Sequence, residues 1–362
     1  MLLFLLRRIG LMLLTALCLT FVVFYLTNLP AKLETLAKTQ AGSRMTDAEV
    51  QNWIERNGYG SPVLVRYGEW LGVVPGWVRE APDGTVTGRC VRLNDDDVAR
   101  AGERCGLLQG EWGQSTRFSA DVLQVINDRL SATGLLMLWV LIVMVPSALI
   151  LGILAGMREG SRTDRSLSTV AIVTTATPEY VSGVVFIALL ASSSVGLSPL
   201  LASMGLLEGR VLFQGNARSA LDDITFWNFT LPVMTVALYG MGYIARITRA
   251  SMTEVMTQQY IRTARLKGVS FSNIVIKHAL RNALIAPFTV IMLQIPWLLN
   301  GVVISEVLFS YPGFGWTLYE AAVNNDIELL LASSVVAVVV VLITQLISDI
   351  GYVYLNPRIR IS

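Results

Sequence analysis

An unbroken apolar run, GLLMLWVLIVMVPSALILGILAGM, occupies residues Gly134–Met157 and contains no charged side chain. A helix that crosses the hydrocarbon core of a bilayer needs roughly 20 such residues, because the core is about 30 Å thick and each residue adds 1.5 Å. The run is continuous rather than alternating in hydropathy, which favours a helix over a strand of an outer-membrane barrel. The run therefore predicts an integral membrane protein.

Five further stretches have similar length and apolarity. They are Ile9–Leu29, Leu167–Ala191, Trp227–Ile244, Ala283–Ser305 and Leu329–Tyr354. Pro178 and Pro232 are tolerable in such helices, because neighbours in a bundle can satisfy the freed backbone groups. The first stretch is longer than the roughly 7–15 apolar residues of a signal peptide and lacks an A-x-A site, so we expect an uncleaved anchor. The sequence predicts an all-α membrane protein with six transmembrane helices.

Charged residues are concentrated in one segment. The 362-residue chain is 15% charged, whereas a soluble domain carries about 25% charge. Segment 30–132 nevertheless holds 12 of the 28 basic and 14 of the 26 acidic residues. We expect a large polar loop between the first and second spans. The net charge of +2 excludes a strongly basic nucleic-acid binder and an acidic disordered chain.

Basic residues in the short connecting segments predict the orientation. With a cytoplasmic N-terminus, 14 basic residues fall on the cytoplasmic side, and only Arg210 and Arg218 fall on the other side. An excess of Lys and Arg marks the cytoplasmic side of a membrane protein. Both termini are therefore expected in the cytoplasm.

Two of the three cysteines, Cys90 and Cys105, lie in the large loop. The loop contains no histidine that could complete a metal site with them. An oxidising compartment such as the periplasm permits a disulfide between them. Cys18 lies inside the first span, where packing is the more ordinary role.

Several motifs of catalysis are absent from the sequence. There is no G-x-x-x-x-G-K-[ST] phosphate loop and no G-x-S-x-G elbow. The single histidine, His278, excludes a multi-histidine metal site. We expect no catalytic residue, no cofactor and no metal, and energy for any uphill transport would come from a partner or an ion gradient.

The cytoplasmic segment between the fourth and fifth spans has an ordered pattern. A helical stretch runs to Lys267 and ends at Gly268, because glycine accepts the positive φ of a helix end. A second helix is expected to begin near Ser270–Ser272 and to lead into the fifth span. This pattern suits a docking element, although a solvated loop would also explain the basic residues.

This segment resembles the coupling region of ABC importer permeases of the dipeptide, oligopeptide and nickel type. Residues Arg262-Thr263-Ala264-Arg265-Leu266-Lys267-Gly268 match the family's R-T-A-R-x-K-G, and His278-Ala279-Leu280-Arg281-Asn282-Ala283 match its H-A-x-R-N-A. Three more elements match in the same order: Gly110–Ser115 (G-D-L-G-x-S), Glu306–Gly315 (E-x-x-F-x-x-P-G-x-G) and Asp349–Arg360 (D-x-x-Y-x-x-x-D-P-R-x-R). The resemblance covers almost the whole chain.

The resemblance implies a permease subunit that forms half of a translocation pathway for peptides or peptide-like solutes in the bacterial inner membrane. Its partners would be a second homologous permease, two cytoplasmic ATP-binding subunits and a periplasmic or lipid-anchored solute-binding protein. ATP-driven closure would then shift the coupling helix and alternate the access to a central cavity. Residues Arg262, Thr263, Ala264, Arg265, Lys267 and Gly268 are the candidate coupling residues.

The chain departs from the family pattern at two places. Asn356 stands where the family has aspartate, which removes a carboxylate. Residues 72–109, with both loop cysteines, form an insertion that either contacts a solute-binding protein or only enlarges the surface. We therefore expect an anchor at 1–29, a periplasmic loop at 30–133 and a five-helix permease core at 134–362 with the cytoplasmic segment 245–282.

Glu179 follows Pro178 near the middle of the third span. A carboxylate at mid-bilayer depth costs roughly 2.5–3.5 kcal/mol on insertion scales, so it is expected to face a cavity or a partner. Glu179 either lines the translocation pathway, where it could meet a peptide amino group, or it is protonated or held by Ser or Thr hydroxyl groups of a neighbouring span. A proton-coupled secondary transporter with Glu179 as its relay is the alternative function, and a membrane enzyme is disfavoured by the absent motifs.

Overall fold

The computed structural model describes residues 2–42, 44–80, 86–93, 99–101, 104–206 and 211–355. Helices dominate these ranges, and the strands form three short antiparallel hairpins. The α-helices are α1 Leu2–Thr27, α2 Pro30–Ala41, α3 Asp47–Arg56, α4 Val63–Leu71, α5 Val122–Gly156, α6 Arg162–Ala176, α7 Glu179–Phe186, α8 Leu197–Ser203, α9 Phe226–Met256, α10 Gln259–Leu266, α11 Phe271–Asn273, α12 Leu280–Ala283, α13 Ile285–Leu308, α14 Phe314–Val323 and α15 Ile327–Leu355. The strands are β1 Val78–Glu80, β2 Val86–Gly88, β3 Val91–Leu93, β4 Ala99–Ala101, β5 Gln114–Ser115 and β6 Ala120–Asp121.

The chain divides into two units. The first unit comprises Met1–Asn127 and Leu318–Val339, and the second comprises Asp128–Thr317 and Val340–Ser362. The predicted C-terminal motif falls partly on 356–362, and Asn356 lies outside the described residues.

Aromatic packing holds the first unit together. Tyr67 of α4 packs edge-on against Phe21 and Phe24 of α1, with ring centroids 5.2 and 5.4 Å apart. Its hydroxyl shares a 2.8 Å hydrogen bond with Thr20 Oγ1. Aromatic pairs in this geometry add about 0.5–1.5 kcal/mol beyond the area they bury, so α4 is fastened to α1.

Segment 72–109, the predicted insertion, contains two of the hairpins. Strand β1 pairs with β2, and β3 pairs with β4. A bond between Cys90 and Cys105 links this region across 15 residues, with Cα atoms 5.4 Å apart.

Helix α9 is the most buried long helix of the second unit and packs against α6, α7 and α13. Helix α5 also approaches α9 closely, since a Cβ on Gly152 would overlap Thr248 and one on Gly156 would lie 2.6 Å from the Met252 Cβ. Small residues allow membrane helices this close contact.

Within the described ranges, four helices are long and apolar enough to cross a membrane, and a bent pair of helices could make a fifth span. The predicted fourth span lies within α9, which is long enough to cross but less apolar. A helix surrounded by other helices meets little lipid, so its side chains need less apolarity.

The predicted third span is not one continuous helix. Helices α6 and α7 meet at a 103° bend, where Thr177 is extended with φ −88° and ψ 119°. Proline disfavours the helical conformation of the residue before it and has no N–H to donate. Pro178 therefore breaks the span.

Candidate functional site

Helix α10 presents its basic residues to solvent and buries two of its apolar residues against the protein. Ile261 and Ala264, three residues apart, are buried, as expected for one face of a helix. The candidate coupling residues Arg262, Thr263, Arg265 and Lys267 are exposed, and so is Leu266.

Leu266 is 81% exposed although it is apolar. The sequence pattern does not separate Leu266 from the buried Ile261, because both are aliphatic residues of one short helix. Only the packed structure places Leu266 outside, between Arg265 and Lys267.

Gly268 ends this helix in the predicted manner, with φ of +76°. The Gly268 N–H donates to the Arg265 carbonyl at 3.0 Å, and the Val269 N–H donates to the Ala264 carbonyl at 3.2 Å. This pair of bonds is the Schellman arrangement, in which the residue with positive φ is usually glycine. A Cβ at Gly268 would meet no atom within 4 Å, so the requirement for glycine here is conformational.

A buried cluster supports α10 from beneath. It joins Met252 and Met256 of α9 to Ile261, Ile274 and Ala279. The following helix begins at Phe271, within the predicted interval, and continues as a π-helix over Ile274–Ala279.

Two hydrogen bonds fasten this support. Ser251 Oγ donates to the Ala283 carbonyl at 2.8 Å, and Asn282 Nδ2 donates to the Tyr260 hydroxyl at 2.9 Å. The candidate coupling residues are thus held on a packed platform, which a solvated loop would lack.

Asp164 and Arg249 form an ion pair that sequence reasoning missed. Arg249 Nε lies 2.5 Å from Asp164 Oδ1, and Arg249 Nη2 lies 2.8 Å from Oδ2. Asp164 also accepts a hydrogen bond from the Gly160 N–H at 2.9 Å. No local pattern links two residues 85 positions apart, so only an alignment of many sequences could have paired them.

The Glu306–Gly315 motif folds around a buried carboxylate. Glu306 is fully buried, accepts a 2.5 Å hydrogen bond from Thr133 Oγ1 and accepts a second from the Trp316 N–H at 3.0 Å. A Cβ on Gly313 would overlap the Glu306 carboxylate, which explains why glycine stands there.

Tyr311 completes this turn. Its hydroxyl donates to the Ala132 carbonyl at 3.0 Å, and burial raises the pKa of Tyr311 to about 12. The hydroxyl therefore remains a neutral donor at physiological pH, and the turn acts as a structural element.

The Gly110–Ser115 motif is tied within the first unit. Ser115 Oγ donates to Asp326 Oδ2 at 2.6 Å and accepts from the Phe118 N–H at 3.0 Å. Asp326 also accepts from the Leu329 N–H at 3.2 Å, which caps the start of α15. This motif thus connects two distant parts of the sequence.

Glu179 stands at the first position of α7, directly beyond the bend. It is 8% exposed, and a Cβ on Gly301 would lie 2.7 Å from its Oε2. Among the described residues no hydroxyl group donates to this carboxylate. Within the same ranges, no three His, Cys, Asp or Glu side chains are placed to hold a metal ion.

Comparison with known proteins identifies the family. Residues 148–361, more than half of the chain, match the family described as binding-protein-dependent transport system inner membrane component. The chain belongs to this family. It is thus a multi-pass inner-membrane permease subunit of an ABC importer and not an enzyme, since separate subunits hydrolyse ATP.

Two relatives illustrate the similarity. The permease is 29% identical to the oligopeptide transport system permease protein AppB of Bacillus subtilis (strain 168) over 88% of this chain and 87% of that protein. It is 32% identical to the di/tripeptide transport system permease protein DppB of Pseudomonas aeruginosa (strain UCBPP-PA14) over 70% of this chain and 78% of that protein.

A solved structure is more distantly similar to the permease. It is a bacterial ABC transporter involved in the import of the acidic polysaccharide alginate, with a TM-score of 0.46 and 15% identity over 65% of this chain and 80% of that chain. Similarity at this level carries no information about the substrate.

Proposed function

We propose that this permease forms half of the translocation pathway for peptides or peptide-like solutes. The observation that carries the proposal is its similarity to the oligopeptide and di/tripeptide permeases over most of the chain. ATP-driven import is therefore preferred to proton-coupled transport, and Glu179 is not required as a proton relay.

The proposed assembly contains a second homologous permease and two cytoplasmic ATP-binding subunits. A periplasmic or lipid-anchored solute-binding protein delivers the substrate. The family description supports a binding protein in general, and this composition is the finer part of the proposal.

The proposed topology has six spans and two cytoplasmic termini. It counts α1, α5, the bent pair α6–α7, α9, α13 and α15. The strong excess of basic residues in the segments assigned to the cytoplasm supports this orientation. The anchor 1–29, the periplasmic loop 30–133 and the core 134–362 follow from it, with segment 245–282 in the cytoplasm.

A set of residues in and after α10 couples the permease to the ATP-binding subunits. The set is Arg262, Thr263, Ala264, Arg265, Lys267 and Gly268. The exposed basic face of α10, the exposed Leu266 and the packed platform support this role. An apolar side chain surrounded by basic ones suits a groove with an apolar floor and an acidic rim, and Ala264 anchors the helix.

Glu179 is proposed to line the pathway. Its position at the bend, without a hydroxyl partner among the described residues, leaves its carboxylate available to a cationic group such as a peptide amino terminus. The insertion at 72–109 is proposed to lie in the periplasm, where the disulfide of Cys90 and Cys105 restricts its conformation.

Uptake of labelled peptides into proteoliposomes tests the proposed function. The complete complex, with binding protein and ATP, is expected to accumulate di- and oligopeptides against their gradient. A complex without this subunit is the control. ATP-dependent uptake of sugars but not of any peptide would contradict the proposal, and uptake driven by a proton gradient without ATP would favour the alternative.

A further inference from the structure

The first unit contains a cavity of about 200 Å³ with four charged side chains in its wall. They are Arg66, Glu69, Arg89 and Glu328. Aromatic residues, among them Trp53, Tyr59 and Trp77, form much of the remaining wall. The cavity lies in a different unit from the coupling segment and from Glu179.

Arg89 acts electrostatically on Glu69 and on Glu328, but among the described residues these four side chains form no close ion pair with one another. Glu69 is only 6% exposed, and its carboxylate has no hydrogen-bond or ion-pair partner there. Glu328 Oε2 and Arg66 Nε are buried without partners, and Arg89 makes no ion pair. The Arg66 guanidinium donates from Nη1 to Asn28 Oδ1 at 2.9 Å and lies 5.9 Å from the centroid of the Tyr59 ring.

Such an arrangement is costly without a ligand. A buried polar group without a hydrogen bond loses its hydration, and a buried charge loses more. Burial accordingly raises the pKa of Glu69 and lowers the pKa of Arg66. An occupant of the cavity that offers both donors and acceptors would remove these penalties.

The balance of charge defines the occupant. Two carboxylates and two guanidinium groups sum to zero, so a lone cation or anion would leave the cavity with an excess charge. A zwitterion would offer its ammonium group to Glu69 and Glu328 and its carboxylate to the two arginines. Trp53 and Tyr59 stack with centroids 5.8 Å apart, and aromatic walls suit both an ammonium group and an apolar side chain.

We infer that this cavity is a binding site for a small zwitterion of the α-amino-acid class. Its volume is below the roughly 300–1,000 Å³ of sites for drug-sized ligands, which excludes a long peptide. The residues that line the site belong to the first unit, whereas Glu179 belongs to the second, and the inference does not depend on which solute the importer carries.

Binding to the full-length chain in lipid nanodiscs tests the inference. The probes are L-leucine, 3-methylbutylamine, which lacks the carboxylate, and 4-methylpentanoate, which lacks the amino group. Titration calorimetry and tryptophan fluorescence are expected to detect leucine, with each analogue weaker by about tenfold or more, because a hydrogen bond to a charged group is lost. Equal binding of leucine and either analogue would overturn the inference.

Matched variants locate the binding. Glu69→Gln is expected to weaken leucine binding about tenfold, whereas Glu55→Gln, an exposed residue of the same unit, leaves it unchanged. Loss of binding in Glu179→Gln but not in Glu69→Gln would place leucine in the pathway and overturn the inference. Absence of binding by the wild-type chain, which needs no variant to fold, would show that the cavity holds only water.

Discussion

Arg249 donates two hydrogen bonds, from Nε and Nη2, to the carboxylate of Asp164 and so joins α9 to α6 across 85 residues of sequence. The pair lies beside Gly160, in the turn that connects α5 to α6, because the Gly160 N–H also donates to Asp164. Charge-assisted, bidentate pairs of this kind fix geometry as well as adding energy. The ion pair therefore holds three helices at one end of the second unit.

A double-mutant cycle of Asp164→Asn and Arg249→Gln tests this pair. We expect a coupling energy of about 1.5–3 kcal/mol in the free energy of unfolding, because hydrogen bonds to charged groups contribute about that much. Reversible unfolding in detergent measures it. Arg246→Gln, an exposed residue of the same helix, is the control, and purely additive effects of the two changes would show that the pair is not coupled.

Gly268→Asp is expected to reduce the stimulation of ATP hydrolysis by the loaded binding protein. The aspartate places a charge and a side chain at the end of α10, where φ is +76°. Gly268→Asn adds a side chain of the same size without the charge, and Asn tolerates this conformation. It therefore separates the effect of the charge from the effect of the side chain. Solute binding by the isolated binding protein remains unchanged.

Gly205→Asp is the control for this prediction. Gly205 also has positive φ, at +71°, and open space at its Cβ, but it lies outside the coupling segment. Normal ATPase stimulation and normal uptake by Gly268→Asp would show that the segment is only a solvated loop.

Reporter fusions test the six-span topology. Alkaline phosphatase fused after Ala81 is expected to be active, and the same enzyme fused after Arg162 is expected to be inactive, since it folds only outside the cytoplasm. The opposite pattern of activity would reject the proposed orientation.

Alkylation tests the disulfide of Cys90 and Cys105. In the denatured, unreduced protein we expect only Cys18 to react, and all three cysteines to react after reduction. The bond is expected to stabilise the loop by about 3 kcal/mol, because it closes a ring of about 15 residues. Two additional reactive thiols before reduction would exclude it.

Glu179→Gln is expected to alter peptide uptake while the subunits still assemble. The substitution keeps the size of the side chain and removes the charge that would attract a cationic group. Glu254→Gln, an exposed acid elsewhere in the second unit, is the control. Unchanged uptake kinetics for several peptides would assign Glu179 to packing alone.

The helical class, most of the apolar spans and the glycine that ends α10 could be predicted from the sequence. Each depends on neighbouring residues: an apolar run long enough to cross lipid, or a glycine after a helical stretch. The family resemblance is also carried by short contiguous motifs such as Arg262–Gly268. These features are local, because each depends on residues that are adjacent in the sequence and can be read from it directly.

Tertiary structure alone decided which side chains meet. The pairing of Asp164 with Arg249, the burial of Glu306 against Thr133 and the cavity around Glu69 all join residues that are far apart in sequence or on different elements. The size of the bend at Pro178 and the burial of α9 likewise depend on the helices packed around them. A proline predicts that a helix can break, but the energy of packing against its neighbours determines how far it bends.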